Sequence, residues 1–258
     1  WWLRGNSHRQ QSNNSLIFRQ KPTEDEMRAF LKRMIDAGGS EPGFINASEG
    51  QRRAPWFKGV NPCCEILLGN KSFCNLTEVN LLAFKGDKTM LERGLYLAAR
   101  MNYRQTMVDL RDEILQEAWH LNNEFLHLCG VGLTGITARP DLTAYDYKRM
   151  RNITVSAAYS MTQELNAPLP KNVTTVKPSG TLSKLMGTDE WGEVPEGVHM
   201  PLGRYIFNNI TFSKHDPLVE TLRDCGYHIV EKPFEKESVL VRFPVEYKTV
   251  PFTSKEVT

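Results

Sequence analysis

Three of the five cysteines lie within twelve residues, in a segment that also carries an amide and a carboxylate. Side chains at alternate positions of an extended segment point the same way. Asn61, Cys63 and Glu65 are therefore expected on one face, with Cys64 on the other. That face would offer an amide to hold a hydroxyl, a thiol, and a carboxylate that can move a proton. Cys74 follows a turn signal, and we expect it to approach Cys63 from a paired strand.

The residue types around Cys63 narrow the chemistry that a thiol there could perform. An adjacent carboxylate disfavours the thiolate form, and no histidine follows nearby to act as its base. A protease-like Cys–His arrangement is therefore disfavoured, whereas a thiol that carries a hydrogen atom needs no thiolate. Free cysteines also serve as small buried hydrophobic residues, so a structural role for the group stays open at this point.

Composition excludes several classes of protein. The 258 residues are 40% hydrophobic and 24% charged, which is typical of a globular chain, and the net charge of +2 provides no single-sign field for nucleic acid or a membrane surface. No apolar run is long enough to span a membrane. Five cysteines without a CxxC pair predict neither a disulfide scaffold nor a zinc site, and they favour a reducing, cytoplasmic location. The first residues lack a Met and an apolar signal core, so we expect an internal segment of a longer protein.

Hydrophobic periodicity predicts alternating helices and strands and hence an α/β architecture. Residues 44–60 are expected to be a loop, and residues 64–82 a strand–turn–strand or loop–turn–strand unit. The helices are expected over about 23–36, twice within 89–128 with a break near 102–106, and over 145–165 and 217–225. Further strands are expected over 172–176, 205–212 and 239–245.

The pattern Asn61-Pro-Cys63-x-Glu65-Ile, with Cys74-Asn-Leu76 eleven residues after Cys63, resembles the finger loop of ribonucleotide reductases. The string Cys74–Leu81 is similar to the adenosylcobalamin-dependent (class II) reductases, particularly the monomeric members that reduce triphosphates. Three further stretches agree in the same order, and the resemblance covers nearly the whole chain. They are Glu41–Asn46, Thr175–Thr181, and Glu196–His199 with Arg204 and Tyr205.

This resemblance implies a role for each residue of the cysteine segment. Cys63 would become a thiyl radical and remove the 3′ hydrogen of the substrate ribose. Glu65 would accept the 3′-hydroxyl proton as general base, and Asn61 would orient the ribose hydroxyls. Cys74 would be one half of the redox pair that reduces C2′, with its partner upstream of this chain. Cys64 receives no role.

The resemblance also implies a fold, a cofactor and partners. Residues 1–258 would form the C-terminal half of a ten-stranded α/β barrel, with a central finger loop at about 59–76 that keeps the radical thiol out of solvent. A substrate phosphate-binding loop is expected at about 176–183, through Pro178, Ser179, Gly180 and Thr181. Adenosylcobalamin is the implied cofactor. The implied partners are the ribonucleotide substrate, thioredoxin or a similar dithiol reductant, and the missing remainder of the same enzyme.

Three other motifs carry open alternatives. Gly130–Gly135 matches GxGxxG, but it follows a helical run, so a tight helix–turn connection is favoured over a dinucleotide site. Lys177–Thr181 suits either a phosphate cradle at a helix start or an ordinary turn. His120, His127 and Cys129 suit a metal site or, as we favour, core packing.

Two alternatives to the leading hypothesis remain. A class I reductase large subunit uses the same finger loop but receives its radical from a metal-containing partner subunit. A catalytically inert product of a split gene would act only as an assembly module, an alternative that the missing partner of Cys74 motivates.

Overall fold

The computed structural model describes residues 12–38, 41–111, 113–177, 200–247, 251 and 253–257, which form an α/β protein as predicted. Its helices are α1 (Glu24–Ala37), α2 (Ala47–Arg53), α3 (Lys88–Gln105), α4 (Glu117–Leu126), α5 (Ala144–Leu165), α6 (Pro217–Asp224) and α7 (Ser254–Val257). Its strands are β1 (Ser15–Phe18), β2 (Gly43–Asn46), β3 (Gly59–Val60), β4 (Leu67–Leu68), β5 (Asn75–Asn80), β6 (Cys129–Thr134), β7 (Tyr205–Ser213), β8 (His228–Glu231) and β9 (Ser238–Glu246). The strands of the described residues form two- and three-stranded sheets, and none of these sheets closes into a barrel.

The first predicted helix is confirmed as α1, and local signals set both of its ends. The Thr23 side chain accepts a hydrogen bond from the Glu26 main-chain N–H, and the Glu26 carboxylate accepts one from Thr23 in return. Gly38 adopts a left-handed conformation and ends the helix.

The loop expected over 44–60 is wrong, because this stretch holds β2, α2 and β3. β2 pairs in parallel with β1, which is distant in sequence, so no local pattern predicts this pairing. Asn46 then caps α2 by accepting a hydrogen bond from the Glu49 N–H. Phe57 is buried with Ile45, Ala47 and Ala54, so packing orders a segment whose composition suggests a loop.

The chain divides into two compact units. The first comprises residues up to 79, 92–132 and 148–176, and the second comprises 80–91, 133–147 and 177 onward. The core of the first unit forms where Val131 of β6 meets small residues of α3 and α5, including Ala99, Ala157 and Ala158. Small side chains let these helices approach the sheet closely.

The GxGxxG segment forms the buried strand β6, so the expected helix–turn connection is wrong. β6 pairs with β5, and Val131 also pairs in parallel with Thr174. The predicted strand over 172–176 is therefore present only as this bridge and its flanking hydrogen bonds. A Gly-rich sequence is a poor local signal for a strand, and only tertiary packing identifies it.

The second unit contains an antiparallel sheet in the order β7-β9-β8. The strands predicted near 205–212 and 239–245 are confirmed as β7 and β9, and α6 is confirmed with Asp216 as its N-cap. β8 was missed because it is four residues long and largely exposed. No helix of the described residues is long and apolar enough to cross a bilayer.

Candidate active site on the finger hairpin

The residues from Gly59 to Leu68 form a short β-hairpin, which we call the finger hairpin. β3 and β4 pair antiparallel, with Val60 opposite Leu67. The Lys58 N–H donates to the Leu68 carbonyl at 2.8 Å, and the Asn61 N–H donates to the Ile66 carbonyl at 3.3 Å. Asn61, Cys63 and Glu65 therefore lie together at the tip of one hairpin.

The tip is a turn, so the expected extended geometry over 61–65 is wrong. The Cys64 N–H donates to the Asn61 carbonyl at 2.9 Å, which closes a four-residue turn. Cys64 has φ 65°, a left-handed conformation that residues with a Cβ seldom adopt. Strict alternation of side chains does not apply in such a turn. The hairpin, rather than a shared strand face, brings the three side chains into one region.

Asn61 is buried and holds the tip in shape. Its Oδ1 accepts a hydrogen bond from the Ile66 N–H at 2.9 Å, so one buried donor is satisfied by a side chain inside the loop. Among the described residues, none accepts a hydrogen bond from the Asn61 Nδ2. This amide can therefore stabilise the loop through its oxygen and donate to a ligand through its nitrogen.

The Cys63 thiol is exposed, which differs from the expected burial of a radical carrier. The turn carries it beyond the sheet, whereas Ile66, on the strand side of the tip, is only 1% exposed. The Asn13 Nδ2 lies 4.0 Å from the Cys63 Sγ, and the Ser15 Oγ lies 3.5 Å from the Cys64 Sγ. The two neighbouring thiols thus contact different polar groups, and both remain reduced.

Glu65 combines a fixed main chain with an unsatisfied side chain. The Thr175 hydroxyl donates to the Glu65 carbonyl at 2.5 Å. Both carboxylate oxygens are shielded from solvent, and no described residue forms a hydrogen bond with either. A desolvated carboxylate is costly unless a partner satisfies it. This side chain is therefore arranged to accept a hydrogen bond or a proton from a ligand.

Cys74 lies near the base of the finger hairpin, not on a strand paired with Cys63. β4 pairs with β3, and β5, which begins directly after Cys74, pairs with β6. Cys74 packs against the buried cluster of Ile66, Leu126 and Leu128. The expected strand–turn–strand unit is therefore correct as an element order and wrong as a pairing, because each strand finds its partner elsewhere.

Comparisons with known proteins relate the chain as a whole to one group of enzymes. No family model matches the chain. The adenosylcobalamin-dependent ribonucleoside-triphosphate reductase of Lactobacillus gasseri is 28% identical over 93% of the chain. That of Lactobacillus acidophilus is 30% identical over 83% of the chain. A crystal structure of a B12-dependent (class II) ribonucleotide reductase superposes on 91% of the chain with a TM-score of 0.73 and 25% identity.

The chain is homologous to one part of the class II ribonucleotide reductases. It spans 36% of the length of the Lactobacillus gasseri relative and 36% of the chain in the crystal structure. The two likenesses agree in extent, so sequence and fold identify the same partial segment.

The other stretches that resemble reductases are only partly among the described residues. The expected phosphate-binding residues Pro178, Ser179, Gly180 and Thr181 lie outside the described residues, as do Glu196–His199. Arg204 is described, and its Nη2 donates to the Pro251 carbonyl at 3.2 Å within the second unit. It also lies 3.7 Å from a Glu256 carboxylate oxygen.

The buried side chains of His120 and His127 belong to no metal-binding group among the described residues. The His127 Nδ1 lies 2.9 Å from the Thr106 hydroxyl, and desolvation lowers the pKa of this imidazole. Burial raises the pKa of the Cys129 thiol to about 12. His120 accepts a hydrogen bond from the Leu110 N–H. No group of three or more His, Cys, Asp or Glu residues among those described is arranged to hold a metal ion.

Two residues, Thr175 and Glu78, were not predicted from the sequence to have a role at or near the hairpin. Thr175, within one of the resembling stretches, anchors the Glu65 carbonyl through its hydroxyl. Glu78 in β5 carries two buried carboxylate oxygens without a partner among the described residues. The available signal for Glu78 was an acidic residue two positions after Leu76, on the same face of the strand.

Proposed function

We propose that this chain carries the radical-thiol part of a ribonucleotide reductase active site, in an enzyme that reduces ribonucleotides, in triphosphate form, to 2′-deoxyribonucleotides. The observation that supports this proposal is that Asn61, Cys63 and Glu65 lie within five residues at the tip of the finger hairpin, and that both carboxylate oxygens of Glu65 are shielded from solvent without a hydrogen-bond partner among the described residues. A thiol beside a proton acceptor and a hydrogen-bond donor suits hydrogen-atom removal from a carbon that bears a hydroxyl.

In this mechanism, each side chain acts on the ribose. The Cys63 sulfur removes the 3′ hydrogen atom as a thiyl radical, and the Glu65 carboxylate accepts the proton of the 3′-hydroxyl. The Asn61 Nδ2 donates to a ribose hydroxyl while its Oδ1 keeps the loop closed. Cys74 contributes one thiol of the pair that reduces C2′. Pro178, Ser179, Gly180 and Thr181 bind the substrate phosphates.

The exposed Cys63 fits the proposed cofactor, adenosylcobalamin, because a thiol at a hairpin tip is accessible to a radical source. When bound, adenosylcobalamin supplies that radical. The names of the relatives favour this source over the metal-containing partner subunit of class I reductases. The chain would act with the remainder of the enzyme and with thioredoxin or a similar dithiol.

The proposed architecture is part of a ten-stranded α/β barrel over residues 1–258, with the finger loop at about 59–76 in its interior and the phosphate loop at about 176–183. Support comes from the parallel pairing of β6 with the residues around Thr174 and from the position of Ile66 against that sheet. Parallel strands covered by helices are typical of such barrels.

Anaerobic turnover tests the proposal. The chain, joined to the remainder of the enzyme, is assayed with adenosylcobalamin, a dithiol and each ribonucleoside triphosphate. Cys63→Ser is expected to abolish reduction without loss of folding, since it removes the radical carrier and little volume. Cys225→Ser, outside the hairpin, is the matched control and should retain activity.

Two results would contradict the proposal. One is measurable reduction by Cys63→Ser. The other is an assembled wild-type protein that binds nucleotide but never reduces it, which would favour the inert assembly module.

A further inference from the structure

Glu78 is a half-buried residue whose two carboxylate oxygens are shielded from solvent, and the proposed mechanism leaves it unused. Among the described residues, five side-chain polar atoms are buried without a hydrogen-bond partner, and four of them are the carboxylate oxygens of Glu65 and Glu78. Shielding a carboxylate from water without a hydrogen-bond partner is energetically unfavourable. An unpartnered carboxylate in the middle of β5 therefore indicates that a ligand or a partner residue binds Glu78.

Strand alternation places Glu78 on the face of β5 that meets the finger hairpin. Two positions earlier, Leu76 packs against Ile66 and Leu128. Thr77, between them, donates from its hydroxyl to the Ala98 carbonyl of α3 on the opposite face. Because side chains alternate along a strand, Glu78 shares the hairpin face with Leu76.

Cross-strand contacts place Glu78 level with the tip of the hairpin. The Asn75 side chain donates to the Leu128 carbonyl, and the Leu81 N–H donates to the Thr134 carbonyl. The two contacts join residues with the same separation in sequence, so one constant offset relates the positions of β5 to those of β6. The same offset sets Glu78 beside Val131. The Val131 carbonyl accepts from the Thr175 N–H, and Thr175 in turn holds the Glu65 carbonyl. Glu78 and Glu65 are therefore at one height of the sheet, on either side of β6.

Between these two residues β6 presents a glycine. Val131 points into the helix-side core, and Gly130 faces Ile66 and Leu76. By alternation Gly132 faces the same way as Gly130 and carries no side chain. Neighbouring strands lie about 4.8 Å apart, so the strands flanking β6 are separated by roughly 10 Å. Gly132, whose missing side chain leaves what we call the gap, thus lies on β6 between the two segments that carry these carboxylates.

We propose that Glu78 is a substrate-binding residue, whose carboxylate accepts a hydrogen bond from the nucleoside across the gap at Gly132. This inference rests on the proposed function and extends it. Ionised carboxylates only accept hydrogen bonds and repel phosphate, so a site flanked by two of them selects the hydroxyl- or amine-bearing end of a nucleotide. Glu78 thereby orients the substrate while Glu65 and Cys63 act on it.

The test measures nucleotide binding separately from turnover, in the assembled enzyme. By calorimetry, Glu78→Gln and Glu78→Leu are expected to raise the Kd for a ribonucleoside triphosphate about tenfold to a hundredfold, as expected for loss of a hydrogen bond to a charged group. KM should rise in parallel, with a smaller change in kcat. Inorganic triphosphate should bind all variants equally, and ribose 5-phosphate distinguishes a contact to the sugar from one to the base.

Glu164→Gln is the matched control, because Glu164 is an exposed residue paired with Arg100 on the helix side of the same unit. It should leave Kd and KM unchanged. Thermal unfolding without nucleotide supplies a second readout, in which Glu78→Gln should unfold at the same or a higher temperature because an unpaired buried charge is removed. Gly132→Ala, which adds one methyl group in the gap, should also weaken nucleotide binding.

A lower unfolding temperature for Glu78→Gln with unchanged Kd and KM would overturn the inference, since Glu78 would then pair with a cation elsewhere in the enzyme. A protein that binds nucleotide through Glu78 but reduces none would support the inference while contradicting the proposed function. The two failures are therefore distinguishable.

Discussion

The side-chain hydroxyl of Thr175 donates a hydrogen bond of 2.5 Å to the main-chain carbonyl of Glu65, 110 positions earlier in the sequence. This contact ties the tip of the finger hairpin to the segment that pairs with β6 at Val131. The proposed general base and its supporting sheet are thereby linked by one side chain. Thr175 therefore positions Glu65 by holding its main chain, and this hydrogen bond does not involve the substrate.

Thr175→Val should lower the free energy of unfolding by about 1 kcal/mol, because the Glu65 carbonyl loses its donor. In the assembled enzyme it should lower kcat about tenfold through a displaced base, with a smaller effect on KM. Denaturant unfolding and steady-state kinetics measure the two effects. Thr175→Ser keeps the hydroxyl and should restore both values, and equal behaviour of the two variants would refute the role of the bond.

Gly130→Ala should destabilise the base of the finger hairpin. An added Cβ would lie 2.6 Å from Leu76 Cδ2, 2.7 Å from Ile66 Cδ1 and 3.1 Å from the Asn75 carbonyl oxygen. The side chains can move but the carbonyl cannot, so we expect a loss of about 1–3 kcal/mol in the free energy of unfolding. Gly59→Ala is the control, since nothing lies within 4 Å of its Cβ position. A Gly130→Ala protein as stable as that control would contradict the packing described.

Asp141→Asn should weaken the second unit in a pH-dependent manner. Hydrogen bonds from Arg139 hold the pKa of Asp141 below its ordinary value, and the Arg139 side chain is only 5% exposed. Asp141 is 60% exposed, so solvent screening reduces the expected loss at pH 7 to roughly 1–2 kcal/mol.

The sign of this pH dependence follows from the lowered pKa. The ion pair contributes fully above the unfolded pKa of about 3.9, and its contribution is lost as the pH falls through the lower folded pKa. Unfolding curves of wild type and Asp141→Asn should therefore converge below about pH 4. Curves that stay equally far apart at all pH values would exclude this explanation.

Asp36→Asn is the control for this prediction. It removes an exposed ion pair between Asp36 and Lys32 of α1, and it should change the free energy of unfolding by only a few tenths of a kcal/mol.

The exposed thiols should react with an alkylating reagent much faster than the buried thiol of Cys129. With a pKa of about 12, the Cys129 thiol is ionised at pH 8 to a fraction on the order of one in ten thousand, and it is fully buried. Cys63, Cys64 and Cys225 are exposed. Brief treatment with iodoacetamide followed by peptide mass spectrometry should modify these three before Cys129. Early modification of Cys129 would contradict the packing of β6 against α3.

The sequence by itself determined the local elements and the chemistry-bearing residues. Capping groups at Thr23 and Asp216 and the periodicity of α3 and α5 define helices through contacts within a few residues. The order Asn61, Cys63, Glu65, Cys74 pointed to the reductase segment because side-chain type alone carries that chemistry.

Only the tertiary structure decided how these residues are arranged. The pairing of β1 with β2, the strand character of the Gly-rich β6, and the turn that places Cys64 at φ 65° all depend on partners far away in the chain or on a side-chain hydrogen bond inside a loop. The same holds for the hydrogen bond from Thr175 to Glu65 and for the shielding of the Glu78 carboxylate from solvent. Contacts over such separations depend on the free energy of the whole packed unit, which no local pattern contains.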